Sequence, residues 1–172
     1  PLHGPVLTGE ALAESLRLYQ IWSSYGVESE GVVIAYTSVY GNTEKAVEAL
    51  AQKLLDKGCS KVTVTCLQRD DWAEAVEDAF RYGKLVLATT TYNGHVFPAM
   101  KEFIDHLTER NYQNRQLAFI ENGTWAPTAG KEMQKMLESG KELHLGSIVT
   151  IRSAMTADTL AQLDALADEL LG

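Results

Sequence analysis

Ser38, Tyr40, Asn42 and Thr43 fall within one short turn, Ser38-Val39-Tyr40-Gly41-Asn42-Thr43. The chemistry those side chains support at that spacing is anion binding. Three hydroxyls and an amide supply donors, and if a helix starts here, its unpaired backbone N–H groups and the positive end of its dipole add to them. No lysine ends the turn, so the Gly-Lys-Ser/Thr element by which nucleoside triphosphatases reach outer phosphates and Mg²⁺ is missing. Gly41 stands alone, without the Gly-x-Gly-x-x-Gly of a dinucleotide site. What remains is a neutral, hydroxyl-lined cradle suited to a terminal monophosphate. Read as plain structure, the same residues make an ordinary strand-to-helix turn with an N-cap.

The elements on either side of the turn argue for the cradle. Val32-Val33-Ile34-Ala35-Tyr36 is an apolar run that reads as a strand covered on both faces. From Glu44 the period changes, and Ala46, Val47, Ala49, Leu50, Leu54 and Leu55 form a helical stripe. Upstream, Thr8 can cap a helix with apolar positions Leu12, Leu16, Tyr19 and Trp22, ending near Tyr25-Gly26; Glu28-Ser29-Glu30-Gly31 reads as a linker. Downstream the rhythm is regular: strand 32–36 and helix 43–57, strand 61–66 and helix 71–82, strand 84–90 and helix 97–110, strand 115–121 and helix 129–139, strand 145–151 and helix 157–171. Such alternation predicts an α/β, doubly wound fold: a five-stranded parallel sheet with right-handed crossovers and helices on both faces.

Ligands of such sheets bind beyond the carboxyl ends of the strands, where strand order reverses. Two further loops belong there. Thr89-Thr90-Thr91-Tyr92-Asn93-Gly94-His95-Val96-Phe97-Pro98 follows the third strand, and Glu121-Asn122-Gly123-Thr124-Trp125-Ala126-Pro127-Thr128-Ala129-Gly130 follows the fourth. Each combines an aromatic, an Asn-Gly pair and hydroxyls. Aromatics give flat apolar walls and glycines allow close backbone approach, so the loops can sandwich a heteroaromatic ring whose phosphate tail lies in the cradle. Trp125, in a polar loop, is expected to face a ligand, whereas Trp22 and Trp72 sit on periodic faces and are expected in the core. Asp70-Asp71 are expected to cap the helix that follows the second strand.

Composition narrows the partners. The chain has 172 residues, 45% of them hydrophobic, which is enough for one full-sized core. Its net charge of −8 argues against a sequence-independent nucleic-acid surface and does not favour anionic lipid. Cys59 and Cys66 lack CxxC or zinc spacing and read as free thiols of a reducing compartment. No signal peptide is evident and no apolar run nears the roughly 20 residues that span a bilayer, so the expected location is cytoplasmic, without membrane or nucleic acid as partner. His95, His106 and His144 lie on different elements and form no ligand cluster.

The spacing of Ser38-Val39-Tyr40-Gly41-Asn42-Thr43-Glu44, Thr91-Tyr92-Asn93-Gly94 and Asn122-Gly123-Thr124-Trp125 resembles the FMN domain of flavodiiron proteins, a branch of the flavodoxin-like superfamily. Leu2-His3-Gly4-Pro5 and the helix ending Tyr19-Gln20-Ile21-Trp22-Ser23-Ser24-Tyr25 are similar to that family's junction with a preceding diiron domain. The family's other iron ligands, including His-x-Glu-x-Asp-His, are absent, so His3 alone holds no diiron centre. The resemblance implies a flavodoxin-like sheet of order 2-1-3-4-5. It divides the chain into a junction and connecting helix, 1–30, and an FMN domain, 31–172.

By the same resemblance, Ser38, Val39, Tyr40, Gly41, Asn42 and Thr43 bind the FMN phosphate. Thr91, Tyr92, Asn93 and Gly94 follow the flavin's reactive edge, where a carbonyl near Asn93-Gly94 can accept from N5–H of reduced flavin. Asn122, Gly123, Thr124 and Trp125 serve the pyrimidine edge and ring system. In the alternative reading of the second loop, Asn93-Gly94 is a tight turn with His95 beside the next helix. Glu121-Asn122-Gly123-Thr124 departs from the family's small-residue pattern, and Glu121 can point either towards the flavin or away from it. No catalytic residue and no metal ligand is assigned: flavin carries the chemistry. In the intact parent, electrons would come from a rubredoxin or a flavin reductase and pass to a diiron site, in the same or a partner subunit, that reduces O₂ to water or NO to N₂O. A free-standing NAD(P)H:quinone reductase and a cofactor-free interaction module are the alternatives.

Overall fold

The computed structural model describes residues 3–172. Helix α1 (Gly9–Ser23) precedes β1 (Ser29–Tyr36), α2 (Asn42–Asp56), β2 (Val62–Cys66), α3 (Trp72–Arg81) and β3 (Tyr82–Tyr92). A two-residue β4 (His95–Val96), α4 (Pro98–Glu109), β5 (Arg115–Asn122), α5 (Ala129–Leu137), β6 (Leu143–Ile151) and α6 (Ala157–Leu171) complete the chain. The sheet runs β2-β1-β3-β5-β6, all parallel, with β4 paired antiparallel to β3. This is the expected flavodoxin-like order, with one short strand added.

Alternation along the strands sorts the core into two layers. Val32, Ile34 and Tyr36 face α2 and α6, packing on Leu50, Leu54, Leu163 and Leu170. Val33 and Ala35, with Leu85, Leu87 and Phe119, face α3, α4 and α5 and pack on Ala79, Phe103, Ile104 and Met133. Each fully buried large apolar side chain stabilises the fold by about 1.5–3 kcal/mol, and such residues line both faces of β1, β3 and β5. Because β1 is followed by β2 on one side and β3 on the other, the switch point lies at the carboxyl ends of β1 and β3, where the candidate loops emerge.

Several local expectations are corrected. Residues Ser29–Gly31 belong to β1 rather than to a linker, with Ser29 in register with Tyr82. Thr8 precedes α1 in extended backbone but makes no side-chain cap, whereas Asp71 caps α3 by accepting from Ala73 N–H. Asp70 instead turns back to accept from Cys66 N–H at 2.7 Å. Trp22 and Trp72 are not core residues: they are 54% and 40% exposed. Trp22 donates its indole N–H to Glu28 at 2.6 Å, and Trp72 stacks on His106 with ring centroids 4.3 Å apart.

Helix α1 contributes no buried residue to the body, and Leu12, Leu16 and Tyr19 are exposed along it. Asn114 donates its side-chain amide to the Tyr25 carbonyl just after α1 at 3.2 Å, and most of the bonds that hold this end of the helix to the sheet come from Arg115, at the start of β5 and only 2% exposed. Its guanidinium donates to the carbonyls of Tyr25 (2.7 Å), Gly26 (3.0 Å), Asn114 (2.8 Å) and Phe80. A planar five-donor fork suits such a cluster of carbonyls, which a point-charge ammonium would not satisfy. Among the described residues, no helix is long and apolar enough to cross a membrane, and no group of three or more His, Cys, Asp or Glu side chains is placed to hold a metal ion.

Candidate functional site

At the carboxyl ends of β1, β3 and β5 the loops enclose a cavity of about 280 Å³, near the lower end of small-molecule sites. Val39, Tyr40, Asn42 and Thr43 line it from the first loop, Thr90 and Thr91 from the second, and Asn122, Gly123, Thr124 and Trp125 from the third, with Ser153 completing the wall. Most of the predicted residues thus converge. Ser38, Gly41, Tyr92, Asn93 and Gly94 are not in the wall, while Thr90 and Ser153 are additions.

The cradle is built as a helix start. Gly41 is the N-cap of α2, in left-handed backbone (φ 81°) with nothing within 4 Å of where a Cβ would stand. That conformation favours glycine and leaves the approach to the helix N-terminus open. Ser38 Oγ accepts from Gly41 N–H at 3.1 Å and Glu44 N–H at 3.3 Å, which shapes the turn from inside. The amides of Asn42 and Thr43, next in the first turn, have no intrahelical acceptor. Thr43 is buried, with its hydroxyl 3.4 Å from that of Thr90, and behind this pair the buried hydroxyls of Thr37 and Thr89 meet at 2.6 Å. β1 and β3 are therefore tied by side chains just where their ladder opens into the loops.

The third loop is fixed by a distant partner. Asn122 donates its amide to Ser153 carbonyl at 3.0 Å and accepts from Ser153 N–H at 3.1 Å, and Thr124 and Ser153 hydroxyls meet at 2.7 Å. Ser153 has a φ of 66°, an unusual backbone for a non-glycine residue, held by those bonds. Glu121, 6% exposed, points away from the cavity: Oε2 accepts from Gly130 N–H at the start of α5 (2.8 Å), and Oε1 accepts from the Thr150 hydroxyl (2.8 Å). The choice left open by the sequence is thereby made, and the carboxylate serves α5 rather than a ligand.

Asn93-Gly94 is a two-residue hairpin turn joining β3 to β4, with φ of 51° and 78° and Tyr92 opposite His95. This is the geometry that favours Asn-Gly. The Gly94 carbonyl accepts from the Thr128 hydroxyl at 2.9 Å, and Tyr92 packs edge-on against Phe97. Of that segment only Thr91 reaches the cavity, and its hydroxyl also accepts from Thr128 and Ala129 N–H.

Tyr40 and Trp125 stand at 90% and 92% exposure on two of these loops, both lining the cavity. Large aromatics held in solvent beside a polar, neutral cradle supply flat apolar surface to a planar ligand. The donor set therefore fits a phosphorylated heteroaromatic: hydroxyls and helix amides for the phosphate, and two aromatics for the ring.

Comparison with known proteins bears on the fold. Residues 33–159 match the family described as "Flavodoxin domain". The coenzyme F420H₂ oxidase of Methanothermobacter marburgensis is 26% identical over 144 residues, which are 81% of this chain and 35% of that protein. The flavodiiron protein of Giardia intestinalis superposes with a TM-score of 0.83 at 17% identity, over 94% of this chain and 40% of that one. A Streptococcus pneumoniae flavodoxin superposes with a TM-score of 0.67 at 22% identity, over 81% of this chain and 97% of that one. The chain thus spans about a third of the length of the curated relative and covers nearly the whole of the Streptococcus pneumoniae flavodoxin chain.

Proposed function

Since this chain belongs to the flavodoxin domain family, we propose that its cavity holds FMN and that the chain is an electron-transfer domain. The observation that carries the reading is the pairing of a lysine-free phosphate cradle at the N-terminus of α2 with two exposed aromatics, Tyr40 and Trp125, around one cavity. In this reading Asn42 and Thr43 amides and the Thr43 hydroxyl hold the phosphate, Ser38 shapes the turn, and Tyr40 and Trp125 flank the ring. Asn122, Gly123 and Thr124 offer backbone groups to its polar edge, while Tyr92, Asn93 and Gly94 form a hairpin beside the site. Bound flavin supplies the redox chemistry, in one-electron steps that the protein tunes by its surroundings.

The finer reading is that this domain, residues 31–172, passes electrons to a diiron site that reduces O₂ to water or NO to N₂O. Residues 1–30 are then the junction and connecting helix, the donor is a redox protein such as a rubredoxin or a flavin reductase, and the setting is the cytoplasm. Support comes from the match to part of longer relatives that include an F420H₂ oxidase and a flavodiiron protein. The diiron ligands would belong to the remainder of such a protein, in the same or a partner subunit; this chain would carry electrons without reducing either gas itself.

The test is a visible absorption spectrum after incubation with FMN and desalting. Retained flavin bands, lost in a Ser38→Ala/Thr43→Ala double variant that keeps its circular dichroism, support the reading. A colourless wild-type protein overturns it in favour of a cofactor-free interaction module.

A further inference from the structure

A chain of polar contacts lies behind the cradle that the binding site itself does not use. Glu44 is the third residue of α2, so its carboxylate belongs to the turn whose amides face the cradle. A carboxylate there gains from the helix dipole, but it also sets a negative charge beside any phosphate that draws on the same dipole. In this structure Glu44 is engaged on one oxygen by two donors. The Tyr36 hydroxyl donates to Oε1 at 2.6 Å, and the Arg69 guanidinium donates to the same oxygen and, at 2.9 Å, to the Tyr36 hydroxyl. Tyr36 and Arg69 together hold the Glu44 carboxyl below its ordinary range, so it is an anion at neutral pH.

Arg69 arrives on the loop between β2 and α3, and that loop also holds the other end of the cradle. Gln68 Oε1 accepts from Ser38 N–H at 2.8 Å. Asp70 accepts from Cys66 N–H, closing the loop on itself. Adjacent side chains of one loop therefore grip Ser38, the first residue of the cradle, and Glu44, the residue that follows it, from outside the cavity.

Resting on the flavin-phosphate reading above, we propose that Arg69 is a charge-balancing, positioning residue for the cradle. Its guanidinium neutralises Glu44 and draws that carboxylate to the Tyr36 side, so that a phosphate dianion meets the α2 amides without a like charge beside them. A phosphate monoester carries close to two negative charges at neutral pH, which makes the cost of an uncompensated neighbour large enough to read. Lysine at this position would keep the charge but lose the fork that bonds both Glu44 and Tyr36.

The experiment compares three probes, FMN, riboflavin and inorganic phosphate, on the wild-type chain and on Arg69→Gln, Arg69→Lys, Glu44→Gln and the Arg69→Gln/Glu44→Gln pair. Flavins are followed by fluorescence and inorganic phosphate by amide chemical shifts of Gly41, Asn42 and Thr43. Arg69→Gln is expected to weaken FMN and inorganic phosphate by on the order of tenfold while leaving riboflavin unchanged. Added Glu44→Gln restores the affinity to within about twofold of wild type, Arg69→Lys lies between, and the Arg69→Gln defect shrinks at 1 M salt, where the Debye length is about 3 Å. Equal weakening of FMN and riboflavin, or a double variant as weak as Arg69→Gln alone, overturns the proposal and leaves the flavin reading standing. A wild-type chain that binds phosphate through Arg69 but no flavin overturns the flavin reading alone, and a chain that binds neither overturns both.

Discussion

The Thr91 hydroxyl, at the end of β3, accepts hydrogen bonds from the backbone N–H groups of Thr128 (3.0 Å) and Ala129 (3.2 Å), and so caps α5 from another part of the chain. Thr128 answers by donating its own hydroxyl to the Gly94 carbonyl at the tip of the hairpin. The second and third loops of the cavity are therefore one bonded unit.

Thr91→Val keeps the shape of the side chain and removes the acceptor. It is expected to cost about 1 kcal/mol of stability, the usual loss for an N-cap, and to weaken FMN as the two loops lose registry. Urea unfolding and a flavin titration on the same preparation check both effects.

Tyr40→Ala and Trp125→Ala act differently, because side chains 90% and 92% exposed support little of the fold. Each is expected to leave the unfolding midpoint within error while weakening FMN about threefold to tenfold, the range for loss of one aromatic stack. Equal losses for FMN and riboflavin would place both residues at the ring rather than at the phosphate.

Arg115→Met removes the guanidinium that the Tyr25, Gly26 and Phe80 carbonyls share. The Tyr25 carbonyl keeps the Asn114 amide at 3.2 Å, while the Gly26 and Phe80 carbonyls lose their guanidinium donor; acceptors so left cost about 1–3 kcal/mol each when water cannot reach them, and the expected loss for this site is about 3 kcal/mol. Arg115→Lys is expected to recover less than half, since its three donors spread from a point cannot meet the same carbonyls. Chemical denaturation of the three proteins checks the order.

Acid is expected to destabilise the protein in part through Glu44 and Asp164, two of the carboxyl groups held below their ordinary range. Glu44 is held below its ordinary 4.5 by Tyr36 and Arg69, and Asp164 below its ordinary 3.8 by Lys53 and Lys57. Each contributes stability that is complete above its unfolded pKa and is lost as pH falls through the lower, folded value, because the unfolded chain binds protons first. Stability measured against pH is therefore expected to be flat near neutrality with respect to these groups and to fall below about pH 4.5. Asp164→Asn and Glu44→Gln each make that fall shallower.

How far the sequence could be read depended on the range of the contacts involved. β1, β3 and β5 are apolar runs buried on both faces, so local composition alone reveals them, and the helices between them carry their own period. The turn that opens α2 is legible for the same reason: its hydroxyls and amide are neighbours in the chain. Ser153 was not, because it reaches the cavity through Asn122 and Thr124, 31 and 29 residues away, and no local pattern marks that pairing. Gln68 and Arg69 were missed likewise, since nothing in Gln68-Arg69-Asp70-Asp71 says which loop it leans on. The hairpin of β3 and β4 does leave a signal, Asn-Gly between Thr91-Tyr92 and His95-Val96, which marks a tight turn but not the two-residue strand that follows it. Trp22 and Trp72 show the converse limit: an apolar residue at helical spacing marks a face but not what covers it.

The clamp at Arg115 divides the molecule by how firmly its parts are held. Everything from Tyr25 onward is sewn to the sheet, whereas α1 contributes no buried side chain and depends on its own helical bonds and the Glu28 contact of Trp22. A helix in that position opens at little cost, whereas unwinding the rest requires the sheet itself to give way. To a protease the two parts differ sharply. Digestion would trim the chain from its amino end through α1 and slow abruptly at Tyr25, and the surviving piece would still carry the whole cavity.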